Sequence, residues 1–510
     1  MGKRVYRGCF VIADAATPLD RRAQDILVEG NFITAIEPEG TISQAGEVID
    51  CSNLLAAPGL INGHLHSWDH FLKGRIENLP MEVMMAHIRP VKPVRLTDRQ
   101  IYARTMIGAI ESLRTGATTV VDDMSLGQTF SRGHVDAALQ AYEDAGLRAY
   151  LGFSMIDKPV LDSWPFVDEC FADDLQASLR TLPRPDGAQL VELVRSLATT
   201  HHPKSRRVGV IVAPSAPPRC TDEFLRTCRL LADELDLPVM THLLETRLQV
   251  VTAHAFYGRS MVEHLDAIGF LRRSTALIHA VWLTPRDRDL IAGSGASMQY
   301  NPWSNGILGS GVADFRAARE AGINVSMGSD GCGATYGCSM LTSLKLGGVM
   351  SRISRPDYEN WASARELWHS ATVGGARALG RDHELGRLAP GLRADIVFYR
   401  RDSYTLSPLN DPVRQIVHGE SGSAIDTVVV DGNLAMRGGR LTRIDETTLI
   451  AEFNAAYEEL APTIVESEKA SHALLGGIDR IYRKSLTVPI PSDTVVGWVT
   501  GANIRGSSDA

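Results

Sequence analysis

The sequence predicts a protein of the α/β class, with a (β/α)8 TIM-like barrel and a small β-sandwich domain built from the N-terminal and C-terminal flanks. Three observations support this prediction. Helical stretches and short apolar strands alternate over roughly 320 residues in the middle of the chain. Short strands separated by glycine-bearing turns occupy both ends. The 510 residues are 44% hydrophobic and 22% charged, a composition that allows a large buried core.

Both flanks consist of short apolar, β-branched segments separated by turn residues. Residues 1–56 contain DILVEGNFITAIEPEG, in which β-branched and apolar residues surround a turn at Glu29-Gly30-Asn31. Residues 385–445 contain ADIVFYR and AIDTVVVDGNLAMRGGRLTR, with a turn at Asp431-Gly432-Asn433. We therefore expect these two segments to meet as a single β-sandwich.

Residues 57–384 have the rhythm of a barrel. A helical stretch ends at a glycine and an apolar strand follows, as in IGAIESLRTG before ATTVVDD, VDAALQAYEDAG before LRAYLGF, and VADFRAAREAG before INVSMGS. Gly116, Gly146 and Gly322 are the expected helix terminators. Further strands are VGVIVAPS, PVMTHLL and TALIHAV, and a count near eight favours a closed barrel over an open sheet.

The remaining segment, residues 446–510, is predicted as a helical extension followed by a disordered tail. We assign this extension to packing or to subunit contacts. A homo-oligomer, either a dimer or a tetramer, is the expected assembly.

Composition narrows the classes of function. Seven cysteines at irregular spacings fit a reducing compartment rather than a disulfide framework. The first residues lack the apolar core of a signal peptide, and no stretch has the length of a membrane span. A net charge of -8 disfavours nucleic acid and anionic lipid. The sequence thus predicts a cytoplasmic protein with a small-molecule substrate, no nucleic-acid partner and no membrane partner.

The strongest local signal is His64-Leu65-His66, at the end of the apolar strand in APGLINGHLHSWDH. Residues i and i+2 of a strand point to the same side, so the two imidazoles can converge on one ion. Three more polar residues follow predicted barrel strands: His242 in PVMTHLLET, His279 in TALIHAVWLT and Asp330 in INVSMGSDG. Active sites of such barrels lie at the C-terminal strand ends, where these side chains would meet.

The set PGLINGHLH, THLLE, IHAVWLT and GSDG resembles the amidohydrolase superfamily. It is most similar to the mononuclear branch that contains guanine deaminase, adenosylhomocysteine deaminases and the triazine hydrolases. The resemblance implies that His64, His66 and His242 are metal ligands and that Asp330 completes the coordination sphere. It also implies that Glu245 transfers protons and that His279 orients the reacting water or a substrate oxygen.

The same resemblance implies one divalent metal per chain. Zn²⁺ is the expected ion and Fe²⁺ the alternative. Binuclear members of the superfamily carry a carboxylated lysine on the fourth strand, whereas the candidate fourth strand here, VGVIVAPS, has no lysine. Such an ion lowers the pKa of a bound water towards ~7 and so provides hydroxide at neutral pH.

Substrate contacts are predicted from two places. Asp69 lies three residues after His66, where relatives place polar substrate-binding residues, and Trp68 stands beside it. Trp303 and Asn305, in QYNPWSNGILGSG, are the expected aromatic wall and polar contact. An alternative for Asp69 is that it only caps a helix beginning near His70.

We therefore predict a hydrolase, specifically an aminohydrolase or deaminase, that uses metal-activated hydroxide to cleave a C–N bond of a small nitrogen-rich heterocycle or amidine-like group. Three alternatives stay open: hydrolytic dechlorination of a triazine-like ring, hydrolysis of a cyclic amide, and a catalytically inactive binding homologue. An inactive protein has little reason to retain the four ligands together with Glu245 and His279.

Overall fold

The computed structural model describes residues 2–43, 46–88, 92–125, 131–184 and 186–494. Within these ranges the strands are β1 (Lys3–Val11), β2 (Asp20–Glu29), β3 (Phe32–Pro38), β4 (Glu47–Asp50), β5 (Leu54–Pro58), β6 (Leu60–Leu65), β7 (Ala117–Asp123), β8 (Arg148–Gly152), β9 (Val208–Val210), β10 (Val239–Leu243), β11 (Thr275–His279), β12 (Ser297–Tyr300), β13 (Asn324–Met327), β14 (Ile396–Arg400), β15 (Ile425–Val430), β16 (Asn433–Arg437) and β17 (Arg440–Leu441).

The helices of the same ranges are α1 (Met81–Ile88), α2 (Asp98–Arg114), α3 (Arg132–Ala145), α4 (Val167–Cys170), α5 (Asp173–Arg180), α6 (Gly187–Ala198), α7 (Asp222–Leu235), α8 (Arg247–Tyr257), α9 (Met261–Ala267), α10 (Pro285–Ser294), α11 (Pro302–Ile307), α12 (Phe315–Glu320), α13 (Cys332–Thr335), α14 (Met340–Ser354), α15 (Ala364–His369), α16 (Gly375–Ala378), α17 (Pro412–Gly419), α18 (Glu446–Ala470) and α19 (His472–Thr487). A 3-10 turn at Ser67–Leu72 follows β6, and another at Pro217–Arg219 follows β9.

The two β-rich flanks lie in one sheet. Its order is β17-β16-β15-β14-β5-β1-β2-β3, and β4 pairs with β1. The flanks join where β14 runs antiparallel to β5, with Phe398 opposite Ala56. Asp431 and Gly432 connect β15 to β16 with φ angles of 51° and 76°, the left-handed conformation that tight hairpin turns need.

Parallel strands form the middle of the protein. β6, β7, β8 and β9 make one sheet in chain order, and β10, β11, β12 and β13 make a second. Every residue of β7, β8 and β9 is buried, as expected for parallel strands covered by helices. The α/β class is confirmed. Gly116, Gly146 and Gly322 have φ angles of 82°, 74° and 80°, so all three terminate helices as predicted.

A buried ion network fixes the flanking sheet to the N-terminal ends of the parallel strands. Arg148, the first residue of β8, is 1% exposed and bonds to Asp395 over 3.2 Å and to Asp431 over 2.9 Å. Arg393 also donates to Asp431. The flanking sheet therefore sits at the end of the strands opposite to the C-terminal ends.

The C-terminal helices pack beside the loops at those C-terminal ends. Phe453 of α18 stacks on Phe71 with ring centroids 4.6 Å apart. Ile478 of α19 packs in a cluster with Val83 and Phe171. The predicted helical extension is thus present, whereas residues 495–510 of the predicted tail lie outside the described residues. No helix in the described ranges combines the length and apolar character needed to cross a membrane.

Candidate active site

Five predicted polar residues converge at the C-terminal ends of parallel strands. His64 lies in β6 and His66 directly follows that strand, while His242 lies in β10. His279 is the last residue of β11, and Asp330 comes three residues after β13. The strands place these side chains together because the strands run parallel and end at one face.

The distances are those of a cluster able to hold one ion. Asp330 Oδ1 lies 3.5 Å from His64 Nε2 and 3.4 Å from His66 Nε2. Candidate ligand atoms of His64, His66 and His242 lie within 4.8 Å of one another, and the same holds for His64, His279 and Asp330. Burial lowers the pKa of His64 and, more strongly, that of His242, which keeps both rings neutral as metal ligation requires.

Backbone carbonyls set the orientation of two rings. His66 Nδ1 is 2.8 Å from the carbonyl oxygen of Asp123, and His242 Nδ1 is 2.7 Å from that of Ser215. A carbonyl only accepts hydrogen bonds, so each Nδ1 carries a proton, and Nε2 is the ring nitrogen left available to bind an ion. Support of this kind is usual behind histidines that bind metal.

The ring of His64 has a different environment. Its side chain is 0% exposed. Among the described residues Nδ1 has no hydrogen-bond partner, and Nε2 has only the carboxylate of Asp330 at 3.5 Å, without the geometry of a hydrogen bond. Burying a polar ring without a partner is unfavourable. A metal ion would supply a partner for this ring, so the residues present fit such an ion.

Glu245 lies beside the cluster on the segment after β10. It is 5% exposed, and its Oε2 is 3.6 Å from His279 Nε2. Burial raises the pKa of Glu245 to about 7. Its backbone N–H donates to Gln249 Oε1 over 2.8 Å, which fixes the start of this segment. A carboxyl group with such a pKa can both take and give a proton near neutral pH.

A hydrogen bond on the side away from the cluster orients the ring of His279. Its Nδ1 is 2.9 Å from Asn305 Oδ1, so the amide oxygen accepts the ring proton and Nε2 faces the cluster. His279 and Asp330 have φ angles of 72° and 68°, in the left-handed region that few non-glycine residues adopt. Such backbone conformations concentrate at functional sites, where the surrounding structure maintains them.

The predicted substrate-contact residues separate into two pairs. Trp68 and Asp69 line a cavity of about 80 Å³ that also contains His66, His242, Glu245, His279 and Asp330. Trp303 and Asn305 are not among the residues that line this cavity. Asn305 lies behind His279, and the edge of the Trp303 indole lies close to Gly337.

Asp69 lies in the wall of this cavity but is almost completely buried. It is 2% exposed, and its Oδ2 accepts a hydrogen bond of 2.8 Å from the N–H of Gly333 while Cys332 Sγ lies 3.2 Å from Oδ1. It does not cap the helical turn, since the residue before that turn is His66 and no side chain caps it. Asp69 instead ties the β6 turn to the loop after β13.

Sequence reasoning missed three contributors. The carbonyls of Asp123 and Ser215 carry no residue-type signal, because any residue offers a carbonyl. Arg219 does carry a signal, since it follows a predicted barrel strand at the face of the site. It lines the 80 Å³ cavity, and its Nη1 donates to Ser215 Oγ over 3.4 Å.

The chain matches a known protein family and is similar to named deaminases. The amidohydrolase family model matches residues 55–435. The chain is 32% identical over 422 residues to a 5-methylthioadenosine/S-adenosylhomocysteine deaminase of Thermococcus kodakarensis, covering 82% of this chain and 91% of the relative. It is 31% identical to a 5′-deoxyadenosine deaminase of Methanothermobacter thermautotrophicus, covering 86% and 95% of the two chains.

Solved structures agree in fold. An adenosine deaminase from Xanthomonas campestris with bound zinc superimposes with a TM-score of 0.79 at 23% identity, covering 90% of this chain and 98% of that one. Atrazine chlorohydrolase from Arthrobacter aurescens complexed with zinc gives a TM-score of 0.79 at 25% identity, covering 89% and 100%.

Proposed function

The chain belongs to the amidohydrolase family and is a hydrolase acting on carbon–nitrogen bonds other than peptide bonds, and from this premise we propose that it deaminates a 6-aminopurine nucleoside with one divalent metal per chain. The observation that carries the proposal is the convergence of His64, His66, His242 and Asp330 beside the buried Glu245. The deaminases of Thermococcus kodakarensis and Methanothermobacter thermautotrophicus act, by their names, on adenosine derivatives. Their substrates set the proposed substrate class.

We propose that His64, His66, His242 and Asp330 hold the metal. Imidazole nitrogens and a carboxylate suit Zn²⁺ in a site that keeps one position open, and the zinc bound in both similar structures favours this ion over Fe²⁺. A single ion is proposed because β9, Val208–Val210, offers no lysine to bridge a second. When bound, the metal lowers the pKa of water and so supplies hydroxide near neutral pH.

Glu245, His279 and Asp330 have separate roles in the proposed reaction. Glu245 takes the proton of the attacking water and passes it to a ring nitrogen or to the leaving amine, for which its pKa of about 7 is well matched. Asn305 orients the ring of His279 by accepting a hydrogen bond from Nδ1. Through Nε2, His279 then orients the reacting water or a substrate oxygen. Asp330 lies 3.7 Å from the same Nε2, so its carboxylate stabilises positive charge that develops on that ring.

The finer architecture is also a proposal. A parallel bridge between Val212 and Val239 joins the two parallel sheets, and the backbone N–H of Asp330 donates to the carbonyl of His64 over 3.0 Å. These two contacts support closure of β6 to β13 into a (β/α)8 barrel over residues 57–384. The flanking sheet encloses a buried apolar cluster of its own, in which Tyr6 stacks on Phe398 at 5.0 Å, and this supports a sandwich formed by residues 1–56 and 385–445.

Displacement of chloride from a triazine ring is the second candidate, favoured by the similarity to atrazine chlorohydrolase. One panel tests both. Purified zinc-loaded protein is incubated with 5′-deoxyadenosine, 5′-methylthioadenosine and atrazine while ammonia and chloride are measured, with the Glu245→Gln variant as the blank. We expect ammonia from the nucleosides. Chloride release without ammonia would favour the second candidate, and release of neither would contradict the proposal.

A further inference from the structure

We propose that Arg219 binds an acidic group of the substrate, a carboxylate or a phosphate, in a chamber that adjoins the reaction cavity. The chain would then prefer anionic derivatives of its heterocyclic substrate over neutral ones. This inference rests on the proposed function, which supplies the ring that occupies the reaction cavity.

The chamber is a second and larger cavity beside the first. It has a volume of about 340 Å³ and shares Trp68, Ile88 and Arg219 with the 80 Å³ cavity around Glu245. Leu460 of α18 belongs to its wall. The reaction cavity alone falls far below the size of usual small-molecule sites, whereas the two together come within that range. A substrate with its ring at the strand ends would therefore extend into the chamber.

The charge of the chamber is opposite to that of the protein. The whole chain has 60 acidic and 52 basic residues, which gives a net charge of -8. Among the described residues that line the chamber, the basic ones are Arg104, Lys158, Arg184 and Arg219, and the only carboxylate is that of Glu468. Glu468 is already bonded to Arg75 over 2.9 and 2.7 Å.

Within the described part of the chain, none of the four cations forms a salt bridge with a carboxylate. The charges of Asp69 and Asp122 act on Arg104, and those of Glu245 and Asp123 act on Arg219, without direct contact. Arg104 is 6% exposed, and its Nη1 donates to the carbonyl of Trp68 over 3.1 Å. Burial lowers the pKa of Arg104 to about 10, still far above neutral, so the charge persists. Lys158 lies over the ring of Phe256 at 5.2 Å. Arg104 is therefore a cation removed from water without a salt bridge, which is unfavourable, and an acidic ligand would relieve this; Lys158 and Arg219 are half-buried and Arg184 is exposed.

Arg219 is the best placed of the four. It ends the 3-10 turn after β9, is half-buried and is the only one of the four that lines both cavities. A guanidinium offers five N–H donors. The side chain of Arg219 makes one hydrogen bond in the described structure, the 3.4 Å bond to Ser215 Oγ. The remaining donors suit two oxygens of a carboxylate or a phosphate, which arginine binds in a bidentate manner.

The test uses matched pairs of probes with zinc-loaded full-length protein. Adenosine 5′-monophosphate is compared with adenosine, and 5′-S-(2-carboxyethyl)-5′-thioadenosine with 5′-methylthioadenosine. We expect kcat/KM to favour the anionic member of at least one pair, which also identifies the acid. Arg219→Met should lower that anionic-to-neutral ratio about 10- to 100-fold, since a charge-assisted bidentate contact is lost.

Arg226→Met is the matched control, because Arg226 is an exposed residue of α7 and lines neither cavity. It should leave the ratio unchanged. Equal kcat/KM within both pairs, or an unchanged ratio in Arg219→Met, would overturn the inference. If no nucleoside is deaminated, the proposed function fails, and calorimetric binding of the same pairs decides the inference separately: tighter binding of the anion that depends on Arg219 supports it, and equal binding overturns it.

Discussion

Replacing Glu245 by glutamine tests the assignment of proton transfer. The amide keeps the shape of the side chain but cannot accept a proton from water. Loss of a general acid/base typically lowers the rate ~10²–10⁴-fold, which corresponds to about 3–5 kcal/mol in the activation barrier. Glu245 is 5% exposed and Oε2 lies 3.6 Å from His279 Nε2, so bulk solvent has little access to take over the transfer. We therefore expect the upper part of that range.

The assay is ammonia release from the best nucleoside of the panel, read as kcat, with metal content measured on the same samples. Glu458→Gln is the matched control, since Glu458 is an exposed residue of α18. Metal content should be unchanged in both variants. A Glu245→Gln protein that binds metal and turns over at the native rate would remove this residue from the mechanism.

Three further substitutions test the orientation of His279, the buried ion network of Arg148 and the contacts of Asp69. Asn305→Leu removes the acceptor of the His279 Nδ1 proton, so kcat should fall about 10–100-fold while metal content stays the same; native kcat would show that His279 needs no orientation. Arg148→Met leaves the buried carboxylates of Asp395 and Asp431 without their shared partner, and the free energy of unfolding in urea should fall by about 3–5 kcal/mol; a loss below about 1 kcal/mol would mean that water compensates them. Asp69→Asn disturbs the contacts to Gly333 and Cys332, so unfolding stability should fall by about 1–3 kcal/mol; an unchanged stability with a lowered kcat/KM would instead support the predicted role of Asp69 in substrate recognition.

Much of the fold follows from local patterns. The predicted strand ATTVVDD coincides with β7, Ala117–Asp123, because Gly116 terminates the preceding helix and every residue of the strand is buried. The strand-end positions of His242, His279 and Asp330 follow from the same reasoning, since parallel strands of an α/β protein end at one face. Periodicity and strand order therefore suffice to bring these residues together.

The directions of individual side chains could not be predicted from the sequence, because they depend on the path of single turns. Asp69 follows His66 by three residues, but the 3-10 turn Ser67–Leu72 brings its carboxylate to the N–H of Gly333, which is 264 residues away in the chain. Trp303 and Asn305 lie in the short helix α11, and their directions differ. The edge of the Trp303 indole lies close to Gly337, whereas Asn305 accepts a hydrogen bond from His279. No local pattern distinguishes these two outcomes.

We propose that one metal ion supports cleavage of a C–N bond and that it is held by His64, His66, His242 and Asp330. Titration of metal-free protein with Zn²⁺, followed by ammonia release from the best nucleoside, tests it most directly. We predict that activity rises linearly and saturates at one equivalent per chain, and that His66→Ala abolishes the rise. Activity that is independent of added zinc, or that saturates only at two equivalents, would contradict the account.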